Sequence, residues 1–352
     1  MARWLNINTT LGIDLGTANL RVYQQGKGLV LREPSMVAVT RSEGKLIAIG
    51  EEAYQMLGRT PGNIQAVSPL KEGVIANYSV AAALLRHVLD RLCGRGRMVH
   101  PEVAINVPCG ATSVERRAVL DVAHEAGARL VHPLLTPVAA AIGAGLPVTA
   151  PQGSLVVDLG AGTTDIAVIS LGGMVTGGAA RIGGLHLDEM IIRHLRREYN
   201  LMIGERMAEE IKIAVGSAAP LDEERVMEVR GRDLRDGLPC TVQVGSVEVR
   251  EALLEPLTAM ADKICQVLEQ TPPELSADIM ERGMVLTGGG ALLRGIDRFI
   301  AQRTNAPARV AEDPLACVAL GAGQYLASLR RQQGGWQPAA PAVTGGPYDR
   351  AK

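Results

Sequence analysis

At 352 residues the chain is too long for one ordinary core, so two domains are expected. Apolar residues make up 47% and aromatics only 3%, so a large interior must be built from Leu, Val, Ile, Ala and Met. With 36 basic against 37 acidic residues, nothing in the charge argues for a nucleic-acid partner.

In chain order, "LGIDLGTANLRVYQ" (11–24) reads as strand, turn, strand, and "LVLREPSMVAVTRSEGKLIAIG" continues in strands around a Ser-Glu-Gly turn. A helix is expected from Ser79, taken as its N-cap, through Cys93, with Gly94 as its stop. "EVAINVP" is a buried strand, and "TSVERRAVLDVAHEAGA" a helix with a Thr112–Glu115 capping box and Gly127 as terminator. "TPVAAAIGAG" is a small-residue helix suited to close packing.

The pattern restarts at Ser154. "SLVVDLGAGTTDIAVISLGG" again gives strand, turn, strand, and "HLDEMIIRHLRREYN" and "ERMAEEIKIAVG" are helical. Residues 222–250 are charged and turn-rich, with a strand expected at "TVQVGSVEV" (241–249). "VREALLEPLTAMADKICQVLEQ" is a long helix that Pro256 is placed to kink and that ends before Pro272-Pro273. "GMVLTGGGALLRGIDRFIAQR" is strand, glycine turn, helix, and the Pro/Gly/Ala-rich stretch 334–352 reads as a disordered tail. The five cysteines (93, 109, 240, 265 and 317) are scattered and form no C-x-x-C pair, which favours a reducing cytoplasm over a zinc or disulfide framework. No apolar run reaches the roughly 18–20 residues of a membrane span, and "MARWLNINTT" has no signal-peptide core.

The duplicated Asp-Leu-Gly hairpins carry the chemistry. A polyphosphate is met well by backbone N–H groups, and glycine lets the main chain approach it closely. Thr17, Thr163 and Thr164 add hydroxyl donors, and Asp14 and Asp158 could hold a magnesium ion that keeps most of its waters. Either turn alone is weak, since hairpins use such turns freely. The third glycine run, "LTGGGALL" (286–293), strengthens the reading, because it follows a strand and precedes a helix.

These motifs resemble the actin-like ATPase superfamily and, within it, the MreB family of bacterial cell-shape actins, over about residues 10–330. "IDLGTANLRVY" is similar to the first phosphate motif, "VVDLGAGTTDIAVISLGG" to the second and "ERGMVLTGGGALLRGID" to the adenosine motif; "EPSMVAV", "MLGRTPGNI" and "ATSVERRAV" resemble family segments outside the site. The resemblance implies an α/β fold of two similar domains, each with a smaller subdomain, around a nucleotide cleft. The expected bounds are 1–145 (insert about 30–75), 146–318 (insert about 182–248) and a helix at 319–333 returning to the first domain. ATP or ADP with Mg2+ is the implied cofactor. By position, Gly16, Thr17, Ala18 and Asn19 would bind phosphates, with Gly160, Gly162, Thr163 and Thr164 opposite. Glu209 and Lys212 would flank the adenosine, and Gly288, Gly289, Gly290, Ala291 and Leu292 would hold the nucleotide's far side. Asp14 and Asp158 would hold the metal. The plainer reading of Glu209 and Lys212 is a helical ion pair one turn apart.

One departure bears on turnover. The family usually has a glutamate before the proline of the "AAAIG" helix, and that carboxylate orients the attacking water. Here Thr136 precedes Pro137, and 129–145 contains no carboxylate. Threonine is no general base near neutral pH, so weak hydrolysis is expected, with Thr163 or Thr164 left to position water. Ala161 replaces a usual glycine and fits if its φ is negative. The resemblance further implies head-to-tail self-assembly, the inner face of the cytoplasmic membrane and cell-wall elongation proteins as partners. Trp4, Leu5 and Ile7, together with Met98 and Val99 beside Arg95 and Arg97, are the candidate membrane contacts. Two rivals share the fold: a sugar-kinase-type phosphotransferase, for which the chain is short, and a chaperone-like switch, which would need a client-binding domain.

Overall fold

The structure is a computed structural model that describes residues 9–94 and 100–332. The candidate membrane residues Trp4, Leu5, Ile7, Arg95, Arg97, Met98 and Val99, and the tail 334–352, lie outside the described residues.

The chain opens with a meander of β1 (Thr10–Leu15), β2 (Asn19–Gln24) and β3 (Gly28–Pro34). An excursion follows: β4 (Val37–Thr40), β5 (Leu46–Ile49), α1 (Glu51–Gln55) and β6 (Ile64–Val67), whose strands form a separate small sheet. After the tight pair β7 (Leu70–Lys71) and β8 (Val74–Ile75) come α2 (Tyr78–Cys93), β9 (Glu102–Val107), α3 (Ser113–Glu125), β10 (Leu130–Leu135) and α4 (Thr136–Gly143). The second half repeats the plan with β11 (Ser154–Leu159), β12 (Thr164–Ser170), β13 (Gly173–Ala180) and α5 (Gly184–Tyr199). Its excursion is β14 (Leu201–Met202), α6 (Glu205–Val215), β15 (Val226–Asp233) and β16 (Pro239–Gly245). It closes with α7 (Ser246–Glu269), α8 (Pro273–Arg282), β17 (Met284–Thr287), α9 (Ile296–Thr304), β18 (Ala308–Val310) and α10 (Cys317–Gln332).

The duplication is explicit in the sheets. One has the order β10-β9-β1-β2-β3 and the other β18-β17-β11-β12-β13, each an antiparallel meander continued by two parallel strands. Asp14 pairs with Arg21 across the first hairpin and Asp158 with Asp165 across the second, so both hairpins carry an acid one residue before the first strand ends. Each sheet has its own apolar core, built around Leu11, Ile13, Leu84 and Ile105 in one lobe and Leu155, Ile166, Ile191 and Leu253 in the other. A third cluster of mostly small residues lies between the sheets: Ala104, Ala139, Ala140, Val156, Ala167, Val318 and Ala322. It rests on α4 and α10, which pack together, and α10 also covers β1, β2 and β9. Glycine makes this crossing possible. A Cβ on Gly321 would fall onto the Ala139 carbonyl, and one on Gly143 onto the Cys317 carbonyl.

Several local expectations change. The N-cap of α2 is Asn77, whose side chain accepts from Val80 N at 3.2 Å; Ser79 lies inside the first turn. The strand expected at 241–249 stops at Gly245, and "SVEV" is the first turn of α7. Glu248 accepts from Gly245 N at 2.6 Å, and this cap outweighs the alternating Val-Glu-Val pattern. Pro256 sits within α7, which continues through it to Glu269. Pro272-Pro273 ends nothing further, because Pro273 opens α8 at a position whose N–H would be unbonded anyway. The strands β10, β13 and β15 were not distinguished from the sequence.

Candidate functional site

The first turn is held by its carbonyls. Ser35 Oγ donates to Gly16 O at 2.7 Å, Ser68 Oγ to Thr17 O at 2.8 Å and Ser35 N to Ala18 O at 2.8 Å. A planar trans peptide points its N–H opposite its C=O, so the N–H groups of Thr17, Ala18 and Asn19 turn away from these two serines. Gly16 N closes the turn on Asn19 O at 3.1 Å, and a Cβ on Gly16 would sit 2.6 Å from that oxygen. The second turn repeats this. Gly160 N donates to Thr163 O at 2.8 Å, while the carbonyls of Gly160 and Ala161 accept from Gly184 N and Leu185 N at the start of α5. Ala161 is not among the residues with left-handed backbone, so its side chain is accommodated.

The two turns face each other. A Cβ on Gly162 would lie 2.6 Å from Thr17 Oγ1 and 3.0 Å from Glu72 Cα. The tight turn between β7 and β8 reaches over them, with Gly73 N donating to Thr17 Oγ1 at 3.1 Å. Together they enclose a cavity of about 110 Å³ lined by residues 14–19, Asn106, Thr136, Asp158, 160–163, Gly288 and Gly289. A larger space of about 380 Å³ adjoins it and shares Ala18, Asn19, Arg21 and Leu315; Tyr54 and Glu209 stand on its walls.

Asp14 and Asp158 both line the inner cavity. Burial pushes Asp14 up to about 7, opposed by Arg21 at 3.6 Å and reinforced by Asp158. Burial likewise pushes Asp158 up to about 6, against the hydrogen bond from Thr287 Oγ1 at 2.8 Å. Two acids on one cavity wall whose ionisation burial resists fit a divalent cation, which would compensate their charge. Among the described residues no three His, Cys, Asp or Glu side chains cluster to cage a metal alone. The donor set therefore suits a magnesium ion that keeps several waters and also meets substrate phosphates.

The remaining expected residues divide. Gly288, with φ 78, donates its N–H to Pro314 O at 2.8 Å and packs against the Leu159 backbone, where a Cβ would lie 2.7 Å from the carbonyl carbon. Gly289 joins it on the cavity wall, whereas Gly290 packs on Leu159, Ala291 is buried and Leu292 is 57% exposed. A 3-10 turn over Gly289–Leu292 separates the glycine run from α9. Thr163 lines the cavity, but Thr164 is fully buried and its hydroxyl donates to Ile182 O at 2.9 Å, away from the cleft. Glu209 and Lys212 form no pair with each other. Glu209 Oε2 accepts from Tyr54 OH of the opposite lobe at 2.9 Å. Lys212 donates to Asp188 at 2.8 Å and to Gly184 O at 3.0 Å, beside the second turn. Thr136, 5% exposed, begins α4, and its hydroxyl accepts from Asn106 Nδ2 at 3.3 Å.

Sequence reasoning passed over Asn106, Arg21, Tyr54 and Asp165. Asn106 holds Leu15 N at 2.7 Å as well as Thr136, and its signal was a lone amide inside the apolar run "VAINV". Asp165 accepts from Cys109 N at 2.6 Å, and burial pushes it up to about 7.

Comparison with known proteins agrees with this geometry. The MreB/Mbl protein family model matches residues 8–334. The cell shape-determining protein MreB of Escherichia coli (strain K12) is 53% identical over 321 residues, covering 90% of this chain and 92% of that protein. The cell shape-determining protein Mbl of Bacillus subtilis (strain 168) is 48% identical over 319 residues, covering 91% and 96%. The crystal structure of MreB5 of Spiroplasma citri bound to ADP superposes with a TM-score of 0.88 at 39% identity, covering 93% of this chain and 99% of that one. The chain therefore belongs to the MreB/Mbl family and has the two-lobed, actin-like ATPase fold.

Proposed function

We propose that this chain binds ATP and ADP with Mg2+ between its lobes and assembles head to tail into filaments. On this reading it works on the inner face of the cytoplasmic membrane, where it helps set bacterial cell shape by organising cell-wall synthesis. One observation carries the proposal: two matching turns, one per lobe, face each other across a single cavity that Asp14 and Asp158 also line. The ADP-bound Spiroplasma citri relative supports a nucleotide there.

In this reading the N–H groups of residues 17–19 and of Ala161 and Gly162 take the phosphates from opposite sides. Asp14 and Asp158 would hold a magnesium ion, whose chemistry there would be to offset phosphate charge. Glu209 meets the nucleoside end through its other carboxylate oxygen and keeps its bond to Tyr54. Thr163 orients the attacking water, and Thr164, committed to Ile182, serves only to fix the turn. Thr136 presents a hydroxyl where a proton acceptor is wanted, so hydrolysis is slow. The nucleotide then acts chiefly as a brace: bonds to both lobes bias the angle between them, and with it the stacking of subunits. A contact of this kind is heterologous and does not close. Membrane contact is assigned to Trp4, Leu5, Met98 and Val99. Each patch is small, so a filament multiplies a marginal affinity. Among the described residues no helix is long and apolar enough to cross a membrane.

Electron microscopy of purified protein with Mg-ATP and anionic liposomes tests the proposal. Filaments on the lipid that need nucleotide are expected. Dispersed protein under all conditions would overturn it.

A further inference from the structure

Asp165 is buried beside the cleft yet has no part in the roles above. It lies in β12, two residues after Thr163, at 0% exposure. Its Oδ1 accepts from Cys109 N, which belongs to the opposite lobe, while its Oδ2 is buried with no hydrogen-bond partner. A carboxylate oxygen in that state is costly unless a donor reaches it. Burial is the largest influence on Asp165 and favours its neutral form; the nearby donor that opposes this is the Thr163 hydroxyl, two residues earlier in the chain. Thr163 itself lines the cavity, as do Gly162 and Thr136.

A threonine hydroxyl has one proton and two lone pairs, and it turns to suit its surroundings. If it donates into the cleft, it competes for the lone pair that an attacking water needs. If it donates to Asp165, only lone pairs face the cleft. A water that donates to Thr163 is then turned with its own lone pair toward the terminal phosphorus. With no carboxylate at position 136, this orientation is one polar control that the chain still offers over that water.

We propose that Asp165 is a positioning residue for ATP hydrolysis: its Oδ2 accepts a hydrogen bond from the Thr163 hydroxyl, fixing that hydroxyl as an acceptor toward water, and through Oδ1 it ties the second turn to the first lobe at Cys109. The inference rests on the nucleotide reading above and adds the residue that sets the water's geometry.

The test is single-turnover ATP cleavage with protein in excess, alongside binding of a fluorescent ATP analogue. The proteins are the parent, Asp165→Asn, Thr163→Val and the double variant. Asparagine keeps the shape but cannot accept from both Cys109 and Thr163. Each single variant should slow cleavage about tenfold or more, with affinity changed by about twofold at most, the pattern of a group acting in the transition state. The double variant should be no slower than the slower single variant, since both remove one unit. Cleavage by Asp165→Asn within about twofold of the parent, or a double variant slowed by the product of the two effects, would overturn the inference. Should Asp165→Asn not fold, Thr163→Ser decides, because serine keeps the hydroxyl: it should cleave near the parent rate, and a rate equal to that of Thr163→Val overturns the inference. A parent that binds no ATP overturns the nucleotide reading and this inference together. A parent that binds and cleaves ATP, matched by Asp165→Asn, overturns the inference alone.

Discussion

Gly321→Ala sets two effects of opposite sign against each other. Inside a helix, alanine is favoured over glycine by about 1 kcal/mol, so propensity alone makes the variant more stable. At this position the new Cβ would fall onto the Ala139 carbonyl oxygen and lie 2.7 Å from Gly143 N, both backbone atoms of the facing helix. Ordinary carbon–oxygen approach is ~3.3 Å or more, and no side chain is available to rotate away. α4 and α10 must therefore part by roughly an ångström, and overpacking of this kind costs ~1–3 kcal/mol, with backbone clashes at the upper end. The net expectation is a loss of about 2 kcal/mol, or roughly 4–8 °C in melting midpoint at the usual scaling for a large domain. Because α4 also packs against β11 and β12, the displacement reaches the interface between the lobes, and nucleotide affinity should fall with stability. Thermal melting followed by circular dichroism, with and without ADP, measures both. A midpoint at or above that of the parent would mean that the two helices do not meet backbone to backbone, and the account of the crossing would be wrong.

Other expectations follow from the same geometry. Tyr54→Phe removes the bond to Glu209 across the cleft mouth; release of a fluorescent ADP analogue, measured by stopped flow, should quicken about threefold to tenfold, and an unchanged rate would discard the bond as a latch. Gly162→Ala places a methyl group between the facing turns, 2.6 Å from Thr17 Oγ1; calorimetry should show nucleotide affinity at least about tenfold weaker, corresponding to ~1.4 kcal/mol. Thr136→Glu supplies a carboxylate at the start of α4 and should raise phosphate release by about a hundredfold if a missing base limits turnover, whereas a fast parent unaffected by Thr136→Ala would dispose of that idea. Lys212→Met leaves Asp188 buried without its cation, so the melting midpoint should drop by the equivalent of about 3 kcal/mol; Lys212→Met with Asp188→Leu should regain much of it, and a single variant as stable as the parent would show the pair to be idle.

Much of the fold was legible because its strongest signals are local. The two Asp-Leu-Gly hairpins, the Thr112–Glu115 capping box and the small-residue helix before Gly143 each declare themselves within a dozen residues, and each stands where expected. What the sequence hid depends on partners far along the chain. The strand "LVHPLL" contains a proline and alternates poorly; it is a strand because it lies parallel to β9 at the sheet edge, where a missing N–H is tolerated. The turn "SVEV" follows strand periodicity until Glu248 caps Gly245. Within the site, the two turns and the acids before them could be placed from spacing, since each hairpin is a local feature, and they line one cavity. The fates of Lys212, Thr164 and Glu209 could not be read. Each is decided by a tertiary neighbour: Asp188, the Ile182 carbonyl and Tyr54. The spacing of Glu209 and Lys212 fits a helical ion pair, yet both side chains point to other partners.

The most direct measurement of the central claim is isothermal titration of the purified chain with Mg-ATP and with Mg-ADP, repeated on Asp14→Asn and Asp158→Asn. The account predicts one saturable site per chain for each nucleotide. Either substitution should weaken Mg-nucleotide binding, because both acids face the same cavity. No saturable binding by the parent chain, or binding untouched by both substitutions, would contradict it.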